Sequence, residues 1–448
     1  MDRAKPNQRQ RLTQAMIASA ARYGYGQASV ARVVGQAGVS RATFYEHFRD
    51  KEDCFLAAYR EVASSTMAGL NRVYDDPVWE NRRRGVISHL LEGAERNPAA
   101  ARVILIESLA AGPAVRAEHE RIVDSIEVSV EEYLSDGPDG AQLEIPARAL
   151  LGAVWGVIAN RVLRGETGRL VELADDLDAW LAVHTLPPGR QRRRRAEWEE
   201  LGACIASPRK PLPSPLDSRL PRGRAALPAA SVAGEQRLRI FAAIARLCRQ
   251  KGYAATTVAN VVTTAGVSRE AFYEQFRGKE DAFLSAQAYA LESSVSIAAA
   301  DFFSAGAWPE RLWRGATTTL RYVAGLPDLS TLDFVESYAV GTPAIRRSFE
   351  GRMAYTLFLQ EGYRQRPEAE SLPRICSEAI AGAILELMRR QALQGEVERA
   401  PELLPQIAYL ALAPFIGLDS AMRRVESECA RSLRERPSER SLARPPVS

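Results

Sequence analysis

Cysteine is scarce in this 448-residue chain, and the five that occur (Cys54, Cys204, Cys248, Cys376 and Cys429) form no C-x-x-C pair. That spacing excludes a disulfide framework or a zinc ribbon and leaves reduced thiols used as small apolar residues. Histidine is scarcer still, with His47, His89, His119 and His184 alone. No Ser/His/Asp grouping, H-E-x-x-H or phosphate-cradling G-x-x-x-x-G-K-[ST] accompanies them, so no enzyme, metal site or cofactor is expected. No apolar run reaches the roughly 18 residues of a membrane span; the longest, ALLGAVWGVIA and IAYLALAPFIGL, fall short. The first residues, MDRAKPNQRQR, are polar where a signal peptide needs an apolar stretch, and a cytoplasmic protein without a membrane partner is expected. Convincing period-two alternation is missing too, which excludes a substantial sheet. Lysine is nearly absent, at five residues against 54 arginines.

What is present is a phrase said twice. GYGQASVARVVGQAGVSRATFYEHFRDKEDCFLAA (24–58) and GYAATTVANVVTTAGVSREAFYEQFRGKEDAFLSA (252–286) agree at 22 of 35 positions. Weaker echoes follow each copy: VILIESLAAGPAVR with TLDFVESYAVGTPAIR, and LLGAVWGVIANRVLRGE with AIAGAILELMRRQALQGE. A unit of roughly 190 residues was doubled, and two copies make a duplication and not a solenoid. Charge follows the same division. Residues 1–51, 186–233 and 234–279 carry +6, +6 and +5, and the remainder is correspondingly acidic. Basic segments set against acidic bodies are expected where those segments meet a polyanion.

Each repeated phrase dictates a local structure. Leu12, Met16 and Ala20, like Ile240, Ile244 and Cys248, recur at four-residue spacing and give a first helix one apolar stripe. Gly24 suits a helix end, Ser29 caps a second helix, and Ala37-Gly38-Val39-Ser40 makes a tight turn into the short helix RATFYEHF. Phe44 and Phe48 face inward. Helix, glycine turn and short second helix form a helix-turn-helix, whose second helix enters the DNA major groove N-terminus first. Asp50 caps the next helix, where Lys51 is out of place beside a positive helix end unless an anion shares the site, the other reading being a solvated surface lysine.

AGVSRATFYEHFRDKEDCF resembles the DNA-binding segment of the TetR family of bacterial transcription regulators, and AGVSREAFYEQFRGKEDAF resembles a second one. The resemblance implies that Ser40, Arg41 and Thr43 meet base edges while Tyr45, His47 and Lys51 hold phosphates. Arg41 suits guanine, though a phosphate contact is the open alternative. In the second copy the matching positions are Ser268, Arg269, Glu270, Tyr273, Gln275 and Lys279. Thr43 is replaced there by Ala271 and His47 by Gln275. Glu270, in place of Ala42, either accepts from a cytosine amine or favours its own helix N-terminus. The two heads are not expected to read the same bases.

An all-α chain is thus expected, made of two tandem TetR-like units that pair within one chain as a pseudo-dimer. The expected divisions are a head at 1–52, an effector body at 53–186, a Pro/Arg-rich linker at 187–233, a second head at 234–280, a second body at 281–430 and a disordered tail at 431–448. The resemblance implies pairing through the last two helices of each body, near 145–165 and 168–185, then 373–395 and 400–418. It also implies a small effector in an internal cavity, with Glu107, His119 and Trp155, then Trp313, Glu336 and Tyr338, as candidate lining residues, for each of which a packed or capped structural role is the other reading. The run Arg192–Arg195 is read as solvated linker, as a phosphate contact, or as a helix paired with Glu197, Glu199 and Glu200. The partners expected are double-stranded DNA and an unidentified small molecule. Rival arrangements are a homodimer with four heads, and a ligand-binding or scaffold protein whose heads no longer bind DNA.

Overall fold

The computed structural model describes residues 7–74, 79–135, 142, 144–186, 190–205, 214, 216 and 229–434. The α-helices of seven residues or more are numbered in chain order. The first half holds α1 (Gln8–Tyr23), α2 (Val30–Ala37), α3 (Arg41–His47), α4 (Lys51–Tyr74), α5 (Trp79–Arg96), α6 (Pro113–Ser135), α7 (Ala147–Arg164) and α8 (Ala174–Ala182). After α9 (Arg195–Ile205), the second half repeats this order. It holds α10 (Ala229–Ala255, broken at Gly252), α11 (Val258–Ala265), α12 (Arg269–Gln275), α13 (Lys279–Phe302) and α14 (Trp308–Gly325). It continues with α15 (Thr342–Met353), α16 (Ile375–Leu393) and α17 (Leu404–Ile416), and adds α18 (Leu418–Arg434). Among the described residues the extended pairing amounts to two bonds. Leu186 N–H donates to Gln142 O at 2.7 Å and Glu144 N–H to His184 O at 2.8 Å. No single helix described is long and apolar enough to cross a membrane.

Among the described residues, apolar side chains collect into three cores. Each head has its own: Leu12, Met16 and Ala20 close on Phe44 and Phe55 in the first, and Ile240, Ile244 and Cys248 on Phe272 and Phe283 in the second. The third core runs without interruption through both bodies, from Ile106 and Trp180 to Trp308 and Phe415. The halves meet where α7 crosses α16, and glycine lets the backbones touch. A Cβ on Gly156 would lie 2.8 Å from Gly382 Cα, and one on Gly382 would lie 2.6 Å from the Gly152 carbonyl oxygen.

Around α17 the chain adds cover that the expected divisions do not contain, and part of the Arg192–Arg195 run takes the paired-helix reading. α17 buries residues on nearly every face, from Leu404 through Phe415, and so needs cover on all sides. α9 and α18 supply that cover, with the Trp198 and Tyr409 rings 5.3 Å apart. The front of the expected linker is therefore packed structure. Its arginines are held by both halves and by the segment itself: Arg192 by Glu131 and the Ile145 carbonyl of the first half, Arg193 by Glu426 of the second, and Arg195 by Glu199 of α9. Residues 431–434, expected as disordered tail, close α18; the rest of that tail and most of the linker lie outside the described residues.

Candidate nucleic-acid interface

The geometry of α3 follows from its caps. Gly38 takes the left-handed conformation (φ 62°, ψ 41°) that ends α2, and Arg11 donates to the Gly38 carbonyl at 3.0 Å and to that of Ala37. Arg239 repeats the clasp on the Ala265 carbonyl at 2.7 Å. A guanidinium thus satisfies carbonyls that the end of a helix leaves open. Ser40 accepts the Thr43 N–H at 3.0 Å and Ser268 accepts the Ala271 N–H at 3.1 Å, which fixes where each short helix begins. Phe44 and Phe272 anchor the buried side. Ser40, Arg41, Tyr45 and His47 are then left on the exposed face with Thr43 half-buried, and Ser268, Arg269, Glu270 and Tyr273 on the matching face with Gln275 half-buried.

The two faces differ in chemistry. Thr43 Oγ1 lies 2.9 Å from Ser40 Oγ. Ala271 makes no such bond, and the Glu270 carboxylate turns back on its own N–H and on the Ser268 hydroxyl, which holds its pKa below the usual carboxylate range. Arg41 makes no hydrogen bond or ion pair with a described residue, whereas Arg269 lies 5.6 Å over the Tyr273 ring. Tyr45 and Tyr273 are 51% and 46% exposed, unusual for large aromatics and suited to a surface that receives a partner.

Lys51 and Lys279 are placed otherwise than the argument from charge implied. Lys51 Nζ donates to the Tyr25 carbonyl at 3.0 Å and sits 4.0 Å over its ring; Lys279 does the same to Tyr253 at 2.8 and 3.9 Å. Burial lowers the pKa of both ammoniums. Each lysine thus cross-links the turn after the first helix to the start of the fourth, a role that needs no anion.

The candidate lining residues also separate. His119 and Trp155 do face a cavity of about 440 Å³ in the first body, which reaches Gln14 and Ile17 of α1. His119 is held by Tyr59 Oη at 3.1 Å and Ser108 Oγ at 3.3 Å, and burial pushes its pKa down to about 4. Glu107 and Glu336 line no cavity described. Each ends a π-helical turn (Val103–Glu107, Leu332–Glu336) and accepts a head N–H, from Tyr25 and Tyr253 respectively, both at 2.7 Å. Trp313 packs into the body core. Tyr338 lines a void of about 40 Å³ between the halves. The second body has its own cavity, about 170 Å³, with a buried pair at its edge in which Arg352 donates to Asp333 at 2.7 Å. Sequence reasoning missed that pair; where the repeats align, the first cavity presents Ile104 and Ile122.

The family model for bacterial regulatory proteins of the tetR family matches residues 12–58 and 240–286. The nucleoid occlusion factor SlmA of Vibrio cholerae serotype O1 is 30% identical over 177 residues, covering 36% of this chain and 87% of that protein. The HTH-type transcriptional repressor AcnR of Corynebacterium glutamicum is 31% identical over 179 residues, covering 38% of this chain and 89% of that protein. Among solved structures, the TetR family transcriptional regulator PfmR of Thermus thermophilus aligns over 43% of this chain and all of its own, at 17% identity and a TM-score of 0.36.

Proposed function

The chain belongs to the TetR family of bacterial regulatory proteins, and from that premise we propose a ligand-responsive repressor that holds one imperfectly palindromic operator with two unlike heads. The observation that carries this reading is the recurrence of an exposed Ser-Arg-x-x-x-Tyr face on α3 and α12, in one chain whose two bodies share one core. Proteins with a helix-turn-helix head generally present two recognition helices about one DNA turn apart, by pairing identical chains. Here the pairing is internal, with heads at 1–52 and 234–280 and bodies at 53–186 and 281–430.

Ser40, Arg41 and Thr43 read bases in the first head, and Tyr45 and His47 grip phosphates. Lys51 keeps donors free after its bond to Tyr25 and adds charge at the same edge. In the second head, Ser268, Arg269, Tyr273, Gln275 and Lys279 take the matching tasks. Glu270 trims the affinity of that head or selects cytosine. Repression, as against activation, follows AcnR, which is described as a repressor.

Ligand response is assigned to the first body, whose larger cavity borders α1 directly. The second cavity, with its buried Asp333–Arg352 pair, is built for different chemistry. A ligand acts only through unequal affinity for the DNA-competent and incompetent forms. The π-helical turns ending at Glu107 and Glu336 link each body to its head, and such turns often occur at functional positions.

Selection of duplexes from random DNA by the full-length protein tests the reading. An imperfect palindrome with unlike half-sites supports it. A perfect palindrome points to first halves paired from two chains. No enrichment by a folded sample favours a ligand-binding or scaffold role.

A further inference from the structure

The halves meet through charged side chains, most of which are not interchangeable. Arg161 of α7 donates to Glu378 of α16 at 2.8 and 2.9 Å, and Asn160 donates to the same carboxylate at 2.6 Å. Arg148 Nε lies 2.7 Å from Glu386 Oε1, an ion contact whose angle makes no hydrogen bond. From the second half, Arg389 donates to Glu120 at 3.1 Å and Arg390 reaches Glu127. The Arg148 and Arg389 side chains are 2% and 4% exposed, so water does not replace a lost partner.

The two crossing helices align on Gly152 with Gly382 and on Gly165 with Gly395, the latter two both left-handed at φ 73°. In that alignment Arg148 stands where the second half has Glu378, and Gly156 where it has Glu386. Asn160 stands in place of Arg390. Aligning Arg116 with Arg346 likewise puts Leu357 in place of Glu127, while Glu350 stands in place of Glu120, so the Arg389 contact does not discriminate between halves.

Pairing of like halves therefore misplaces charge. Two first halves would set Arg161 against Arg148 of the other copy and offer Glu127 to Asn160. Two second halves would set Glu386 against Glu378 and leave Arg390 facing Leu357. Opposed like charges and unpaired buried ions reject a wrong partner more effectively than lost packing does.

We propose that this pattern is a recognition code for the opposite half, which directs first half to second and rejects pairing of like halves between chains. The inference rests on the intrachain pairing proposed above. Its consequence is a fixed pair of unlike heads that a second copy of the chain does not replace.

Light scattering of the full-length protein over a concentration series tests the code. Wild type is expected at the mass of one chain, 49.2 kDa. Glu378→Arg opposes Arg161 with a like charge and gives Glu386 a cationic partner in a second chain, so the mass should shift to two chains. Arg161→Glu should do the same through first halves, where Arg148 becomes the partner. The double variant R161E/E378R restores opposite signs and should return to one chain, which also shows that the substituted interface folds. Single variants that keep both the one-chain mass and the wild-type thermal midpoint would overturn the code, as would a double variant that associates like the singles. A wild type weighing two chains at every concentration overturns the intrachain pairing instead, and the thermal midpoints of singles against double still judge the code.

Discussion

The Tyr25 N–H donates to Glu107 Oε2 at 2.7 Å, joining the turn after the first helix of the first head to the π-helical turn of its body. Arg102 pairs with the same carboxylate at 2.9 Å and donates to Thr342 of the second half at 2.7 Å. Burial pushes the Glu107 pKa up, so the carboxylate depends on these donors. Glu107→Ala strands a buried N–H and a guanidinium, at a cost of about 1–3 kcal/mol. The expected result is a lower thermal midpoint and faster amide exchange at Tyr25, with Glu107→Gln retaining part of the protection. Exchange at Tyr25 equal to wild type in both variants would remove the link.

Base reading and backbone grip separate by substitution. Arg41→Ala should relax preference at one base pair, by about 1–3 kcal/mol, and leave other positions alone. Tyr45→Phe should weaken binding to all duplexes by a similar factor. Both are read from binding curves on an operator and on point-substituted operators at one salt concentration. Equal losses on every duplex from both variants would contradict the division.

Close approach of α7 and α16 needs glycine at the crossing. A methyl on Gly382 lands 2.6 Å from the Gly152 carbonyl oxygen, which is backbone and cannot swing aside. Gly382→Ala should cost about 1–3 kcal/mol, as overpacking does. Gly168→Ala, where a Cβ meets nothing within 4 Å, is the control. Urea midpoints compare the two, and an equal effect would mean that the crossing tolerates separation.

Acid sensitivity should follow His119 and His184. Burial pushes both imidazoles down to about 4 from the ordinary 6.5. Between those values the unfolded chain binds protons that the folded chain refuses, so stability rises with pH across the window. The contribution is complete above 6.5 and is lost as pH falls through about 4. Each histidine adds a slope of about 1.4 kcal/mol per pH unit. Denaturation free energies at pH 5 and 7 should show that slope reduced in His119→Gln and in His184→Phe. An unchanged slope would mean that the rings are protonated in the fold.

Much of each head was legible in the sequence, because caps and stripes are local. Ser29, Ser40, Gly38 and the Leu12-Met16-Ala20 stripe act within a few residues of where they stand. What escaped was long-range. Arg11 and Arg239 clasp carbonyls 26 positions away, and nothing in their neighbourhood announces it. The residues around Lys51 point to its own helix end, while its partner is a carbonyl 26 positions earlier. Glu107 and Glu336 take the structural one of their two readings, and the partner of each, a head N–H more than 80 positions earlier, is not visible in the local sequence. α18 did carry a signal, with Ala421, Met422, Val425 and Cys429 at helical spacing, but its many arginines and glutamates masked the stripe. The charge code between halves spans more than 200 positions and becomes visible when the two copies are superposed.

A core that runs through both bodies changes how the protein responds to its own abundance. A regulator that assembles from separate chains loses its DNA-competent form with the square of its concentration, so sparse cells leave their operators open. A pair joined by peptide bonds keeps its partner at a fixed effective concentration however few copies exist. On the proposed reading, operator occupancy falls in simple proportion to copy number and not with its square.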